Sequence, residues 1–342
     1  MKILITGGCG FVGSNIAVFL KKKIKNVRIF SLDNLSRNGS HLNKVRLEKL
    51  RIKNYKFNIE DNNVLKKLPK SDLIIDCCAE PAIEISRKDP DRVFNTNLIG
   101  TFNILKKSIR DKSNLIFLSS SRVYSIDSLK NLVKKNNLNG LHKVKKKVDE
   151  NFNTDSPSSL YGFTKIASEK LIKEMFYKRK NNYIINRFGV IAGPWQFGKQ
   201  DQGFVSLWIA NHILNKKLSF TGFGGSGNQV RDVIHIDDVC EIIHLQIKKI
   251  QKINNHVFNI GGGIKNSISL KLLTKKCQKI TGNIISIRKI LKTSTYDIPY
   301  FVTNNRKISK VYKWKPSKSI DEIIKDIFIW LEKNKMILKY FK

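Results

Sequence analysis

The sequence predicts an α/β fold: a doubly wound parallel sheet followed by a smaller, interleaved C-terminal α/β region. Three observations carry that prediction. Short apolar runs alternate with stretches of helical spacing through the first half of the chain. A glycine-rich turn joins the first run to the first helix. Beyond about residue 188 the alternation loosens and Gly, Pro and aromatic residues gather.

Taken in order, residues 2–6 are an apolar run, 7–10 a glycine-rich turn, 11–23 a helix by its apolar spacing, and 27–32 a second strand. Further strands are expected at 55–57, 73–75, 115–118 and 184–186, separated by helices over 92–110 and 160–179. Strands separated by helices pair in parallel, which needs a crossover on each connection. Shorter helices follow at 270–281, 306–311 and 320–333. The expected division is 1–188, with contributions from about 228–260, against 189–227 with 261–342. The Lys- and Asn-rich stretch 131–147 reads as a surface insertion.

Composition narrows the class. With 342 residues, 41% hydrophobic and 27% charged, the chain is long enough to bury a core, which excludes a disordered tail or a disulfide-stapled miniprotein. No window approaches the roughly 18 consecutive apolar residues of a membrane span, and the opening Met1 to Gly8 runs into glycines instead of a signal peptide's apolar core. A cytoplasmic protein without a membrane partner is expected. The five scattered cysteines form no Cys-x-x-Cys pair, so neither a disulfide framework nor a metal site is expected. The net charge of +37 raises nucleic acid as a partner, but most of the 64 basic residues are Lys, spread from Lys2 to Lys342, whereas base and phosphate readers favour Arg. No nucleic-acid partner is expected, and Lys21–Lys23 and Lys143–Lys147 read as solvated faces.

Gly7, Gly10 and Gly13 stand in a G-x-x-G-x-x-G pattern between the first strand and first helix. Such a turn admits a pyrophosphate against the positive end of the helix. Alone it reads equally as a plain loop. Asp33, twenty residues after Gly13 at the end of the second strand, changes that: a carboxylate there accepts the adenosine ribose hydroxyls and repels a 2′-phosphate. The cofactor expected is NAD, with Arg37 keeping the 2′-phosphate alternative open.

Tyr161 and Lys165 lie four apart at the start of a helix and so project from one face. A cation beside a phenol favours the ionised form, which suits proton exchange with a sugar hydroxyl. The plain alternative is a solvated helix face. Ser119, Ser120 and Ser121 at the end of the fifth strand weigh against it, because doubly wound sheets bind ligands at their carboxyl edge.

Together these residues resemble the extended short-chain dehydrogenase/reductase family of nucleotide-sugar epimerases and dehydratases. The resemblance spans residues 1 to about 332. It rests on Thr6–Gly13, Asp33–Ser36, Asn97 with Gly100 and Thr101, Ser119–Tyr124, Tyr161–Lys165 and Gln229–Val239. It implies a Rossmann fold with Ser120, Tyr161 and Lys165 as the catalytic set. It also implies cofactor contacts from Gly7, Gly10, Phe11, Val12, Gly13, Asp33, Asn34, Ser36, Asn58, Ile59, Ala79, Asn97, Tyr161 and Lys165. Asn97 is expected to brace the sheet core, and Asn58 stands where relatives often carry Asp. The helices around 92–110 and 160–179 are implied to pair across a two-fold axis in a homodimer or higher homo-oligomer.

Within the family, Arg187–Phe197 with Asp201, Gln202 and Gly203, and the long spacing from Tyr124 to Tyr161, are similar to the CDP-paratose 2-epimerase branch. Asp297-Ile298-Pro299 lacks that branch's arginine and is compatible with a UDP-sugar 4-epimerase. A 4,6-dehydratase is similar but carries an acid pair directly after the active-site hydroxyl, where this chain has Ser121 and Arg122. A non-catalytic NAD-binding scaffold has no need of the Ser120, Tyr161 and Lys165 set. The expected substrate is a nucleotide-diphosphate sugar, with contacts from Glu80, Ser121, Arg122, Gln196, Phe197, Asp201, Gln202 and Arg231. Several have an ordinary reading beside them: Glu80 as a turn cap, Gln196, Asp201 and Gln202 as loop polarity, Arg231 as a salt bridge to Asp232. His235 reads as structural.

Overall fold

The structure, a computed structural model, describes residues 1–82, 87–134, 141, 143–199 and 202–341. The chain divides into two units: Met1–Val123, Ser159–Arg187 and Val239–Phe258 form the first, and Tyr124–Ser158, Phe188–Asp238 and Asn259–Lys342 the second. Its strands in chain order are β1 (Lys2–Thr6), β2 (Arg28–Leu32), β3 (Lys53–Tyr55), β4 (Leu73–Asp76), β5 (Asn114–Ser120), β6 (Tyr183–Phe188), β7 (Val190–Ala192), β8 (Leu218–Thr221), β9 (Val230–His235), β10 (His256–Ile260), β11 (Ser267–Ser269), β12 (Ile287–Ile290) and β13 (Tyr300–Phe301).

A seven-stranded sheet runs in the order β10-β6-β5-β4-β1-β2-β3, and the β1–β2, β1–β4, β2–β3 and β4–β5 pairings are parallel. The chain winds from β1 outward through β2 and β3, then returns to place β4 on the other side of β1. That reversal falls between β1 and β4, and doubly wound sheets take ligands beyond the carboxyl ends of the strands at such a point. Ile3, Leu4, Ile5, Ile74, Ile75, Leu115, Ile116 and Phe117 are buried, as expected of strands covered on both faces. Among the described residues no helix is long and apolar enough to cross a membrane.

Two helices position the site. Pro90–Phe94 and Gly100–Asp111 form one helix interrupted by a π turn at Asn95–Ile99. Such a turn carries one residue more than an α turn and re-aims its side chains, and here Asn97 is fully buried within it. The other helix, Leu160–Phe176, begins where Ser159 Oγ accepts the Gly162 N–H at 3.1 Å.

The third strand is Lys53–Tyr55 and not 55–57: its register with β2 ends at Leu32↔Tyr55, so Phe57 has no partner strand. The helix expected to reach 179 stops at Phe176, and Lys178 turns left-handed with φ of 54°.

In the second unit β9 lies between β11 and β13 and also pairs with β7, while β8 pairs with β12. Helices Phe204–Ile213, Leu270–Thr281 and Ile320–Lys333 bury Val205, Ile209, Leu273, Cys277, Ile323, Ile327 and Leu331 together. The insertion is not merely a surface loop. Val133 and Leu141 form a small core with Val230, Tyr300 and Val302, Val148 pairs with Thr303, and Tyr300 Oη lies within hydrogen-bond distance of the Val144 and Lys146 carbonyls, at 2.9 and 2.7 Å. Residues 124–158 therefore pack with the second unit, although the sequence reading kept them with the first. Lysine spacing concealed the few apolar residues that anchor them.

Asp232 on β9 is fully buried, its Oδ2 accepting the Gly263 N–H at 2.9 Å, and burial pushes its carboxyl above the ordinary value of 3.8. A raised folded value means stability is present below 3.8 and lost as pH rises through the folded value. Asp232→Asn removes that loss, so the variant should be more stable than wild type at pH 7, the gain fading as pH falls. Thermal melts across pH test this; a pH-independent loss would contradict it.

Candidate active site

The glycine turn leaves β1 with Gly7 at φ of 58°, a left-handed conformation that glycine takes without strain. A Cβ on Gly13 would stand 2.3 Å from the Gly7 carbonyl, so this close helix-to-turn approach requires glycine. No side chain caps helix Phe11–Lys23, and its first turn has no acidic residue. Its N-terminal amides and positive dipole end fit a pyrophosphate, and Phe11 and Val12 stand half-buried beside them.

Asp33 follows β2. Its carboxylate accepts the Leu35 N–H at 2.8 Å and the Cys9 N–H at 3.0 Å. Burial pushes its carboxyl up, while these amides, the Gly10 amide and the charge of Arg37 pull the other way. Asn34 Nδ2 donates to Asn58 Oδ1 at 2.9 Å, and Asn34 Oδ1 accepts the Ser36 N–H at 3.0 Å. The ends of β2 and β3 are thereby tied. Ile59 is buried against Gly100, and Ala79 lies half-buried beyond β4.

Asn97 clamps the segment after β4. Its Oδ1 accepts the Glu80 N–H at 2.7 Å, and its Nδ2 donates to the Glu80 carbonyl at 3.1 Å and Thr164 Oγ1 at 3.2 Å. The carboxylate of Glu80 is shared by Arg37 and Arg92.

Tyr161 and Lys165 are both buried on helix Leu160–Phe176. Lys165 Nζ donates to the Leu118 carbonyl of β5 at 3.0 Å and lies 4.5 Å from the centre of the Phe117 ring. Ser120, at the end of β5, accepts the Arg122 N–H on its Oγ at 3.1 Å, which sets the short turn Ser121–Val123. Sequence reasoning missed the supports beneath. Glu169, fully buried one further turn along the Tyr161–Lys165 face, accepts from Ser119 Oγ at 2.6 Å and from Arg187 Nη2 at 2.7 Å. Asp76, at the end of β4, accepts from Thr6 Oγ1 at 2.5 Å; burial raises its carboxyl and the Lys165 charge partly offsets that. The continued spacing of four from 161 through 165 to 169 was the available signal for Glu169.

The first unit thus places Asp33, Glu80 and Ser120 after or at the carboxyl ends of β2, β4 and β5, with Lys165 bonded to β5. In the second unit the carboxamide of Gln196 is spanned by its own chain, donating to the Ile191 carbonyl at 3.0 Å and accepting from Ser206 Oγ at 2.8 Å. Phe197 packs against Trp330, Tyr340 and Phe341. Gln202 is exposed, bridged through its backbone to Lys199, and Asp201 lies outside the described residues. Arg231 does not pair with Asp232: its Nη2 donates to Asp297 Oδ1 at 3.2 Å and the Ile298 carbonyl at 2.6 Å. Neighbouring strand residues point to opposite faces, which separates the two side chains. His235 is buried, with Nδ1 accepting the Asp237 N–H at 3.1 Å.

Residues 3–261 match the model of the NAD dependent epimerase/dehydratase family. The chain belongs to this family. It is similar to CDP-paratose 2-epimerase of Salmonella typhi, at 30% identity over 348 residues, 96% of this chain and 99% of the relative. Among solved structures, UDP-glucose 4-epimerase of Thermotoga maritima with UDP-glucose gives a TM-score of 0.80 at 25% identity, covering 98% of this chain and 100% of that one. UDP-glucuronic acid 4-epimerase of Bacillus cereus, in complex with UDP-glucuronic acid and NAD, gives 0.82 at 22% identity, covering 97% and 99%. This member of the epimerase/dehydratase family is an NAD-dependent enzyme on a Rossmann fold, as its sequence predicts.

Proposed function

We propose that this enzyme is a nucleotide-sugar epimerase that inverts one sugar carbon through a transient keto sugar, with a CDP-paratose-type substrate inverted at carbon 2. The observation that carries the reading is the set formed by Ser120 at the end of β5 with Tyr161 and Lys165 on the helix that packs against it. Tyr161 takes the proton of a sugar hydroxyl at its phenolic oxygen and later returns it, the Ser120 hydroxyl holds the sugar oxygen, and the Lys165 ammonium supplies the neighbouring positive charge. Bound NAD supplies both the hydride acceptor and the hydride donor, so net redox is zero. Ser121 and Arg122 stand where a dehydratase needs an acid pair, which favours epimerisation over loss of water. Asp297-Ile298-Pro299, which lacks the arginine of the paratose branch, is compatible with a UDP-sugar 4-epimerase as the second reading.

Incubation with a panel of CDP- and UDP-sugars tests both. The expected product has the substrate's mass and retains deuterium placed on the inverted carbon. Inversion of carbon 4 in a UDP-sugar would select the second reading, and a product lighter by one water would defeat both.

We also propose that the chain acts as a homodimer. Phe94, Phe102 and Phe163 are 37%, 37% and 47% exposed on the two helices that flank the site, an arrangement that a second copy would cover. Sedimentation should show a dimer at micromolar concentration, and Phe102→Asp with Phe163→Asp should shift it to monomer. A monomeric wild type would contradict this.

A further inference from the structure

Glu80 follows β4 and is 4% exposed. Asn97 engages both its backbone N–H and its backbone carbonyl. Its Oε1 accepts from Arg37 Nη2 at 3.3 Å and its Oε2 from Arg92 Nη2 at 2.8 Å. Arg37 is four residues beyond Asp33, close enough for its charge to act on the Asp33 carboxyl. An arginine beside that position is a usual means of accommodating a 2′-phosphate. In this chain the same guanidinium is drawn towards β4 and bonded to a carboxylate that is itself fixed by the π turn.

We propose that Glu80 is a positioning residue for cofactor choice: it holds and neutralises Arg37, so that Asp33 sets the charge at the end of β2 and NAD is taken over NADP. The inference rests on the assignment of Asp33 to the adenosine ribose. A buried carboxylate with two guanidinium partners suits this role better than contact with a neutral sugar. Its desolvation is offset only while both cations stay close, so Arg37 is a weak phosphate ligand as long as Glu80 holds it. Removing the charge but not the shape of Glu80 frees a planar donor fork next to a site that already binds a dinucleotide.

The test uses the full-length protein dialysed to equilibrium against equal concentrations of NAD and NADP, then denatured so that the released dinucleotides can be quantified. Glu80→Gln should raise the bound NADP:NAD ratio about tenfold over wild type, and Glu80→Gln with Arg37→Met should return it to the wild-type value. Arg37→Met alone should leave the ratio unchanged, because the guanidinium is already engaged; this partly exposed site provides a variant should Glu80→Gln fold poorly. An unchanged ratio in a folded Glu80→Gln, a rise that persists without Arg37, or a fall in Arg37→Met alone would each overturn the proposal. Asp33→Asn separates the underlying assignment. Loss of bound NAD or a raised ratio there, with none in Glu80→Gln, defeats the Glu80 role alone; no effect of Asp33→Asn defeats the assignment beneath it.

Discussion

Tyr161→Phe should lower turnover on the true substrate by roughly 10²- to 10⁴-fold, the usual loss when a general acid/base is removed. The substitution keeps the ring of a buried residue and deletes only its hydroxyl. NAD content and nucleotide-sugar affinity should therefore hold, and the loss should fall on kcat. Lys165→Met should act differently. It removes a buried ammonium anchored on the Leu118 carbonyl, so activity and NAD retention should decline together. Denaturing release of NAD measured beside steady-state rates distinguishes the two patterns. Comparable turnover by wild type and Tyr161→Phe would defeat the proposed mechanism, and a non-catalytic scaffold would show no reaction for either variant to alter.

Glu169→Ala should cost about 3–5 kcal/mol of stability, because it strips a buried guanidinium of its carboxylate. Arg187 Nε lies 2.9 and 3.1 Å from the two oxygens of Glu169, and Nη2 lies 2.7 Å from one of them. Ser119 loses its acceptor in the same variant, which also loosens the strand end that presents Ser120. Replacing the pair together, as Glu169→Leu with Arg187→Met, should recover most of the loss, since no charge is then left in an apolar setting. Denaturant unfolding of the single and double variants measures this. A single-variant cost below about 1 kcal/mol would place the pair in the class of screened surface bridges and contradict its burial.

Much of the cofactor side was legible in order along the chain. The glycines, Asp33, the Tyr161–Lys165 spacing and Ser120 are local patterns, set by a tight turn, a strand end or one turn of helix. What each requires is fixed by residues a few positions away, so a sequence displays it. The helix carrying Asn97 was expected, but its π turn was not, because that turn depends on packing against Glu80 and Thr164, which are distant in sequence. The insertion was misread for a related reason: its Lys and Asn residues outnumber Val133 and Leu141, and only the fold shows those two meeting Val230, Tyr300 and Val302, with Val148 just beyond the stretch paired to Thr303.

The sequence by itself determined the doubly wound α/β class, the cofactor turn and the residue types available for proton exchange. These follow from backbone sterics and from side-chain periodicity, which act over short stretches of chain. The tertiary structure alone decided which charges meet. Arg37 and Arg92 converge on Glu80 from separate segments, Arg231 turns to Asp297 and away from Asp232, and Ser119 and Arg187 share Glu169. Ion pairing inside a protein is governed by distance and desolvation, and both are properties of the packed chain that spacing along the sequence does not encode.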